Sequence, residues 1–238
     1  MITTDNCEKV GIENVHSNNS LEYYQAAIFD LDGVVVDTAK YHYLAWKRLA
    51  REFGFDFTED DNEQFKGVSR MRCMELLASM AGLNLSDEEK VHLADLKNTW
   101  YVEYISNMNK DEILPGFLSF ITDLREKGYK TALASASKNA GLILERLEIK
   151  DCFDSVVDGN DVQRSKPDPQ VFEMAASRLG IDQERCIVFE DAQAGIDAAK
   201  AAKMTCIGIG DPNILTGSDL VIPGFENMNI RGLLKKLL

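Results

Sequence analysis

At 238 residues, 45% hydrophobic and 27% charged, the chain has the make-up of an ordinary globular protein with a sizeable core, in one large domain or two modest ones. Its formal net charge of −13 argues against nucleic acid or an anionic membrane as the main partner, so any phosphate it binds must be met by a few placed cations. Five cysteines (Cys7, Cys73, Cys152, Cys186, Cys206) form an odd count without a C-x-x-C pair, which points away from disulfides or zinc and towards a reducing compartment.

In chain order, residues 1–24 read as a polar leader without the apolar core of a signal peptide. No later apolar run reaches the length of a membrane span, and a cytoplasmic protein is expected. Ala26-Ala27-Ile28-Phe29 reads as a strand buried on both faces, as in a parallel sheet covered by helices. Asp30 stops the run, Asp32 follows, and Gly33 lets the chain turn sharply. In extended chain, residues i and i+2 point the same way, so the two carboxylates are expected to leave the strand end together. Such a pair repels and calls for a cation, for which a hard divalent ion such as Mg²⁺ is suited. Taken alone, the segment also reads as a plain strand followed by an Asp-Gly turn.

Thr38 opens a helix whose apolar face carries Tyr41, Leu44, Ala45, Leu49 and Phe53, with Gly54 ending it. Thr38, His42 and Trp46 recur every fourth residue on a neighbouring face. Helical pieces follow over 71–81 and 87–107, the second behind a capping box at Ser86-Asp87-Glu88-Glu89. From 117 onwards helices (117–127, 138–147, 170–179, 191–202) alternate with strands (129–134, 155–157, 186–189, 205–209). The pattern predicts an α/β fold with a doubly wound parallel sheet. Its Rossmann-like core comprises 25–37 and 113–238, and a helical cap at 38–112 is inserted after the first strand, hinged near Asp37 and Ile113.

In such sheets ligands bind beyond the carboxyl ends of the strands. Those ends carry Asp30 and Asp32, then Ser135-Ala136-Ser137-Lys138-Asn139 at a helix start whose free N–H groups and hydroxyls suit a phosphate, then Glu190-Asp191. Lys166 sits in the stiff loop Ser165-Lys166-Pro167-Asp168-Pro169. Four carboxylates, a lysine and a hydroxyl-rich turn fit Mg²⁺-assisted phosphoryl transfer to a carboxylate nucleophile.

The order Asp30-x-Asp32-x-Val34, a strand ending in Ser135, Lys166-Pro167 and Glu190-Asp191 resembles the haloacid dehalogenase superfamily of aspartyl-phosphate enzymes over about residues 25–210. Thr38-Ala39-x-x-His42-x-x-Ala45-Trp46, Lys66-Gly67-Val68-Ser69-Arg70 and the stretch from Ala134 to Asn139 narrow it to the sugar-phosphate mutases of that superfamily. The resemblance implies Asp30 as nucleophile and Asp32 as general acid/base. It implies Mg²⁺ held by the Asp30 carboxylate, the Asp32 backbone carbonyl, Glu190 and Asp191, with Ser135 and Lys166 on the transferring phosphoryl group. A small phosphorylated sugar would be bound by His42, Lys66, Gly67, Val68, Arg70, Ser137, Lys138 and Asn139, with Lys97 lining the closed cleft. The implied reaction interconverts β-D-glucose 1-phosphate and glucose 6-phosphate, in a monomer. A phosphatase of the same superfamily and a catalytically silent sugar-phosphate sensor are the alternatives, and a sensor would need no nucleophile. Cys73 stands where the superfamily often has serine, and Lys203 at a helix end usually closed by glycine, where a left-handed backbone costs about 1 kcal/mol. Gly195 is read as permitting close helix packing.

Overall fold

Strand β1 (Ala26–Phe29) lies at the middle of a six-stranded parallel sheet, and both of its faces are covered. The computed structural model describes residues 23–65 and 68–237, so the leader, apart from residues 23 and 24, and Lys66 and Gly67 lie outside the described residues. The other strands are β2 (Lys130–Ala134), β3 (Ser155–Val157), β4 (Cys186–Glu190), β5 (Thr205–Ile209) and β6 (Leu220–Ile222). Their spatial order is β3-β2-β1-β4-β5-β6, which reverses direction between β1 and β4 and opens a crevice at that point.

Period-two alternation divides β1 between two cores. Ala27 and Phe29 pack into one apolar cluster, Ala26 and Ile28 into the other. Phe29 stacks on Phe189 of β4 with ring centroids 4.7 Å apart and meets Phe117 and Phe120 edge-on. These rings form an apolar floor directly beneath Asp30 and Glu190. The register pairs Phe29 with Leu133 on one side and Phe189 on the other, so one step further Asp30 lies between Ala134 and Glu190.

Between β1 and Ile113 the described residues form four α-helices: α1 (Ala39–Glu52), α2 (Glu59–Glu63), α3 (Arg70–Met80) and α4 (Asp87–Ile105). They build a separate apolar cluster around Trp46, Leu49, Phe57, Phe65, Met74 and Leu77. Ala45, Tyr101 and Ile105 tie the block to the sheet's own core. Where the chain enters and leaves the block its two segments run side by side, with the Leu114 N–H donating to the Val35 carbonyl at 2.9 Å. The capping box at Ser86 and Glu89 is present in both directions, at 3.2 and 2.8 Å. Four further helices cover the sheet: α5 (Phe117–Glu126), α6 (Ala140–Arg146), α7 (Gln170–Leu179) and α8 (Gln193–Ala201). A last helix, α9 (Ile230–Leu237), packs Leu233 and Leu234 into the main core.

Lys203 adopts φ 58, the left-handed conformation anticipated for that helix end. Cys73, Cys152, Cys186 and Cys206 are free thiols, and burial pushes Cys73 and Cys186 up to about 12, which leaves both protonated and unreactive. Among the described residues no helix is long and apolar enough to cross a membrane.

Candidate active site

The crevice opens into a cavity of about 590 Å³ between the carboxyl edge of the sheet and the helical block. Asp30, Asp32, Lys166, Glu190 and Asp191 line it from the sheet side, and His42, Val68, Arg70 and Lys97 from the helical side. Ser137, Lys138 and Asn139 complete the wall. Ser135 is fully buried behind that wall at the end of β2.

The sheet side is a dense cluster of charge. Lys166 Nζ lies 2.5 Å from Asp30 Oδ1 and 3.3 Å from Glu190 Oε1, and all three residues are buried. The cation demanded by paired carboxylates is therefore supplied in part by the protein itself. Although burial opposes it, the charges of Asp30 and Glu190 hold the Lys166 ammonium above its ordinary value. Burial, reinforced by the charge of Asp30, pushes Glu190 well above the usual carboxylate range.

Asp30, Glu190 and Asp191 each offer a carboxylate oxygen within 4.8 Å of the others. The backbone is shaped around two of them. A Cβ on Gly195 would fall 1.6 Å from Glu190 Oε1, and one on Gly33 would fall 1.9 Å from Asp191 Oδ2. Gly195 thus makes room for a carboxylate of the cluster, rather than for a neighbouring helix as its sequence context suggested. A compact, all-oxygen, anionic donor set of this kind fits Mg²⁺.

Asp32 has a different environment. Because β1 ends at Phe29, strand alternation does not extend to Asp32, and its carboxylate is not part of the three-residue cluster. Both carboxylates nonetheless line the one cavity, and the charge of Asp30 acts on Asp32. Its Oδ1 accepts from the Thr38 hydroxyl. Spent in this way, Thr38 begins α1 without a side-chain cap, and Asp37 Oδ1 accepts from the Ala39 N–H at 3.0 Å instead. Burial, then repulsion from Asp30, pushes Asp32 up to about 6, while the Thr38 hydrogen bond and Lys166 oppose the shift. A carboxyl poised there can give or take a proton near neutral pH.

The expected free N–H groups before α6 are another point of correction. The helix starts only at Ala140, and Ser135 Oγ and Ser137 Oγ accept from the N–H groups of Ser137 (3.1 Å) and Asn139 (3.2 Å). Two of the expected phosphate donors are already engaged, because short hydroxyl side chains compete for nearby backbone groups.

On the helical side, Lys97 Nζ sits 2.8 Å from His42 Nδ1, over the rings of Trp46 (4.6 Å) and Tyr101 (4.8 Å). His42 itself stacks on Tyr101 with centroids 4.1 Å apart. Burial and the adjacent Lys97 charge keep the imidazole far below its ordinary value, so it is neutral at physiological pH. Burial also pushes Lys97 down to about 7. Cys73 Sγ lies 3.7 Å from the carbonyls of Phe65 and Val68, so its thiol ties down the loop carrying Val68. Thr38, Asn98 and Asp95 were not singled out as site residues from sequence. Thr38 carried a signal in its four-residue spacing with His42 and Trp46, whereas Asn98, which accepts from Asn139 Nδ2 at 2.9 Å across the cleft, carried none.

A buried lysine–carboxylate cluster thus sits at the β1/β4 switch point of a parallel sheet, roofed by an inserted helical block, and the chain belongs to the haloacid dehalogenase-like hydrolase family, whose model matches residues 24–203. It is 40% identical over 200 residues to the β-phosphoglucomutase of Bacillus subtilis (strain 168), covering 83% of this chain and 88% of that protein. It is 32% identical over 183 residues to a phosphorylated carbohydrates phosphatase of Thermotoga maritima, covering 75% of this chain and 81% of that one. The crystal structure of a β-phosphoglucomutase from Clostridium difficile matches with a TM-score of 0.85 at 39% identity, covering 90% of this chain and 97% of that one.

Proposed function

We propose that this chain is a Mg²⁺-dependent sugar-phosphate mutase that interconverts β-D-glucose 1-phosphate and glucose 6-phosphate, acting in the cytoplasm as a monomer. In this reading residues 25–37 and 113–238 are the catalytic core and 38–112 the cap. The observation that carries it is that one cavity holds cations beyond the catalytic lysine: Lys166 is bonded to Asp30 and Glu190, while Arg70 and Lys138 line other parts of the wall. A phosphatase needs to hold one phosphate, whereas a mutase must hold a second, non-reacting one. The similarity to the Bacillus subtilis mutase supports the same conclusion.

Asp30 attacks the phosphorus, the bond from phosphorus to the sugar oxygen breaks, and Asp32 gives its proton to that departing oxygen. In the return step Asp32 takes the proton of the attacking hydroxyl as the phosphoryl group leaves Asp30. Ser135 and Lys166 hold the phosphoryl group in flight. The carboxylates of Asp30, Glu190 and Asp191 and the backbone carbonyl of Asp32 would hold Mg²⁺, which when bound neutralises charge on the phosphoryl oxygens. His42, Val68, Arg70, Lys97, Ser137, Lys138 and Asn139, with Lys66 and Gly67 outside the described residues, bind the sugar phosphate and keep water out while the bisphosphate turns round.

A ³¹P NMR time course with β-glucose 1-phosphate, Mg²⁺ and a bisphosphate primer tests this. Glucose 6-phosphate should accumulate without matching inorganic phosphate. Inorganic phosphate alone would mean that water takes the phosphoryl group, as in the phosphatase from Thermotoga maritima named above.

A further inference from the structure

Asp95 and Asn98 stand three residues apart on α4 and so share one face of that helix. Asp95 Oδ1 lies 3.5 Å from Arg70 Nη1, and Asn98 Oδ1 accepts from Asn139 Nδ2 at 2.9 Å. All four side chains line the same cavity. One turn of one helix therefore presents an acceptor to each of two donors, one from the helical block and one from the sheet side. Arg70 is a cation that the proposed function gives to the non-reacting phosphate, and Asn139 is among the residues it places on the sugar phosphate.

The fold gains little from the first of these contacts. The Asp95 side chain is 71% exposed, and an ion pair so open to solvent contributes little stability. Its placement on Arg70 has a different consequence. A guanidinium grips phosphate through parallel charge-assisted hydrogen bonds, and a carboxylate competes for the same fork.

We infer that Asp95 is a positioning residue that acts through Arg70, standing in for phosphate oxygens and weakening the grip on the non-reacting phosphate. The inference rests on the sugar-phosphate reading above. Its use follows from the reaction, because a bisphosphate that must turn round cannot be held too tightly at either end. Binding energy spent equally on ground state and transition state lowers KM without raising kcat.

The test is a double-mutant cycle, reading glucose 6-phosphate binding by calorimetry in the presence of Mg²⁺ for the native chain, Asp95→Asn, Arg70→Ala and the pair together. Asp95→Asn should tighten binding about two- to fivefold, the range an exposed ion pair spans. The gain should vanish in the Arg70→Ala background. In steady-state assays KM should fall in Asp95→Asn while kcat stays level or drops. Unchanged or weaker binding in Asp95→Asn, or an equal gain with and without Arg70, overturns the inference. If Arg70→Ala weakens binding but Asp95→Asn brings no gain, only the role of Asp95 fails. If Arg70→Ala leaves binding untouched, the phosphate clamp of the proposed function fails and Asp95 with it.

Discussion

Lys166 and Asp30, 136 residues apart in the chain, meet at 2.5 Å in a site where both side chains are almost wholly buried. The lysine also reaches Glu190, so one ammonium holds two carboxylates together above an apolar floor of stacked phenylalanines. Removing one partner of a buried charge cluster leaves the others uncompensated, at a cost of about 3–5 kcal/mol. Lys166→Met should therefore unfold at markedly lower urea concentration than the native chain. Added Mg²⁺ should restore more stability to the variant than to the native protein, because it replaces the missing positive charge. Equal effects of Mg²⁺ on both would place the metal away from this cluster.

Gly195→Ala separates helix stability from site geometry. Alanine in the first turn of α8 should favour the helix by at most about 1 kcal/mol, but its Cβ would collide with the Glu190 carboxylate at 1.6 Å. The expected result is a folded protein whose apparent Mg²⁺ affinity, titrated through activity, falls at least tenfold. A variant with native Mg²⁺ dependence would show that Glu190 does not need the space the glycine provides.

Lys97 gives the site a pH dependence. Burial lowers its folded pKa to about 7 from an ordinary 10.5. Between those two values the unfolded chain binds more protons than the folded one, so this group makes stability rise with pH from about 7 towards 10. Lys97→Met should abolish that rise in urea titrations run at intervals across the window. In the native chain, sugar-phosphate binding at pH 8 should draw a proton onto Lys97, detected as a dependence of calorimetric heat on the buffer's ionisation enthalpy. Binding without proton uptake would mean that Lys97 is already charged or does not sense the ligand.

Much of this architecture is legible in the sequence because it rests on local patterns. The apolar run Ala26–Phe29, the Ser86 capping box and the alternation of strand with helix after 117 all follow from residue type and spacing, and the structure contains each of them. Strand β6 (Leu220–Ile222) is absent from that reading. The carboxylates and lysine of the site could be assembled from the rule that strand ends converge. Their individual partners could not, since Asp32 accepts from Thr38 through a contact made after the strand has ended. Nor could the role of Gly195, which depends on how close Glu190 comes from a different element. Asn98 meeting Asn139 is a contact between distant parts of the chain, and nothing in either local sequence announces it.

The proposed reaction turns on Asp30 carrying a phosphoryl group from one sugar to another. It is tested most directly by rapid acid quench after mixing the enzyme with Mg²⁺ and ³²P-labelled glucose bisphosphate, followed by peptide mapping and analysis of the small molecules released. The account predicts label on the peptide containing Asp30 within the first turnover. On adding unlabelled β-glucose 1-phosphate, that label should pass into sugar phosphate, and Asp30→Asn should show none of it. Label on a peptide lacking Asp30, or label passing from Asp30 to inorganic phosphate in the presence of the sugar, would contradict it.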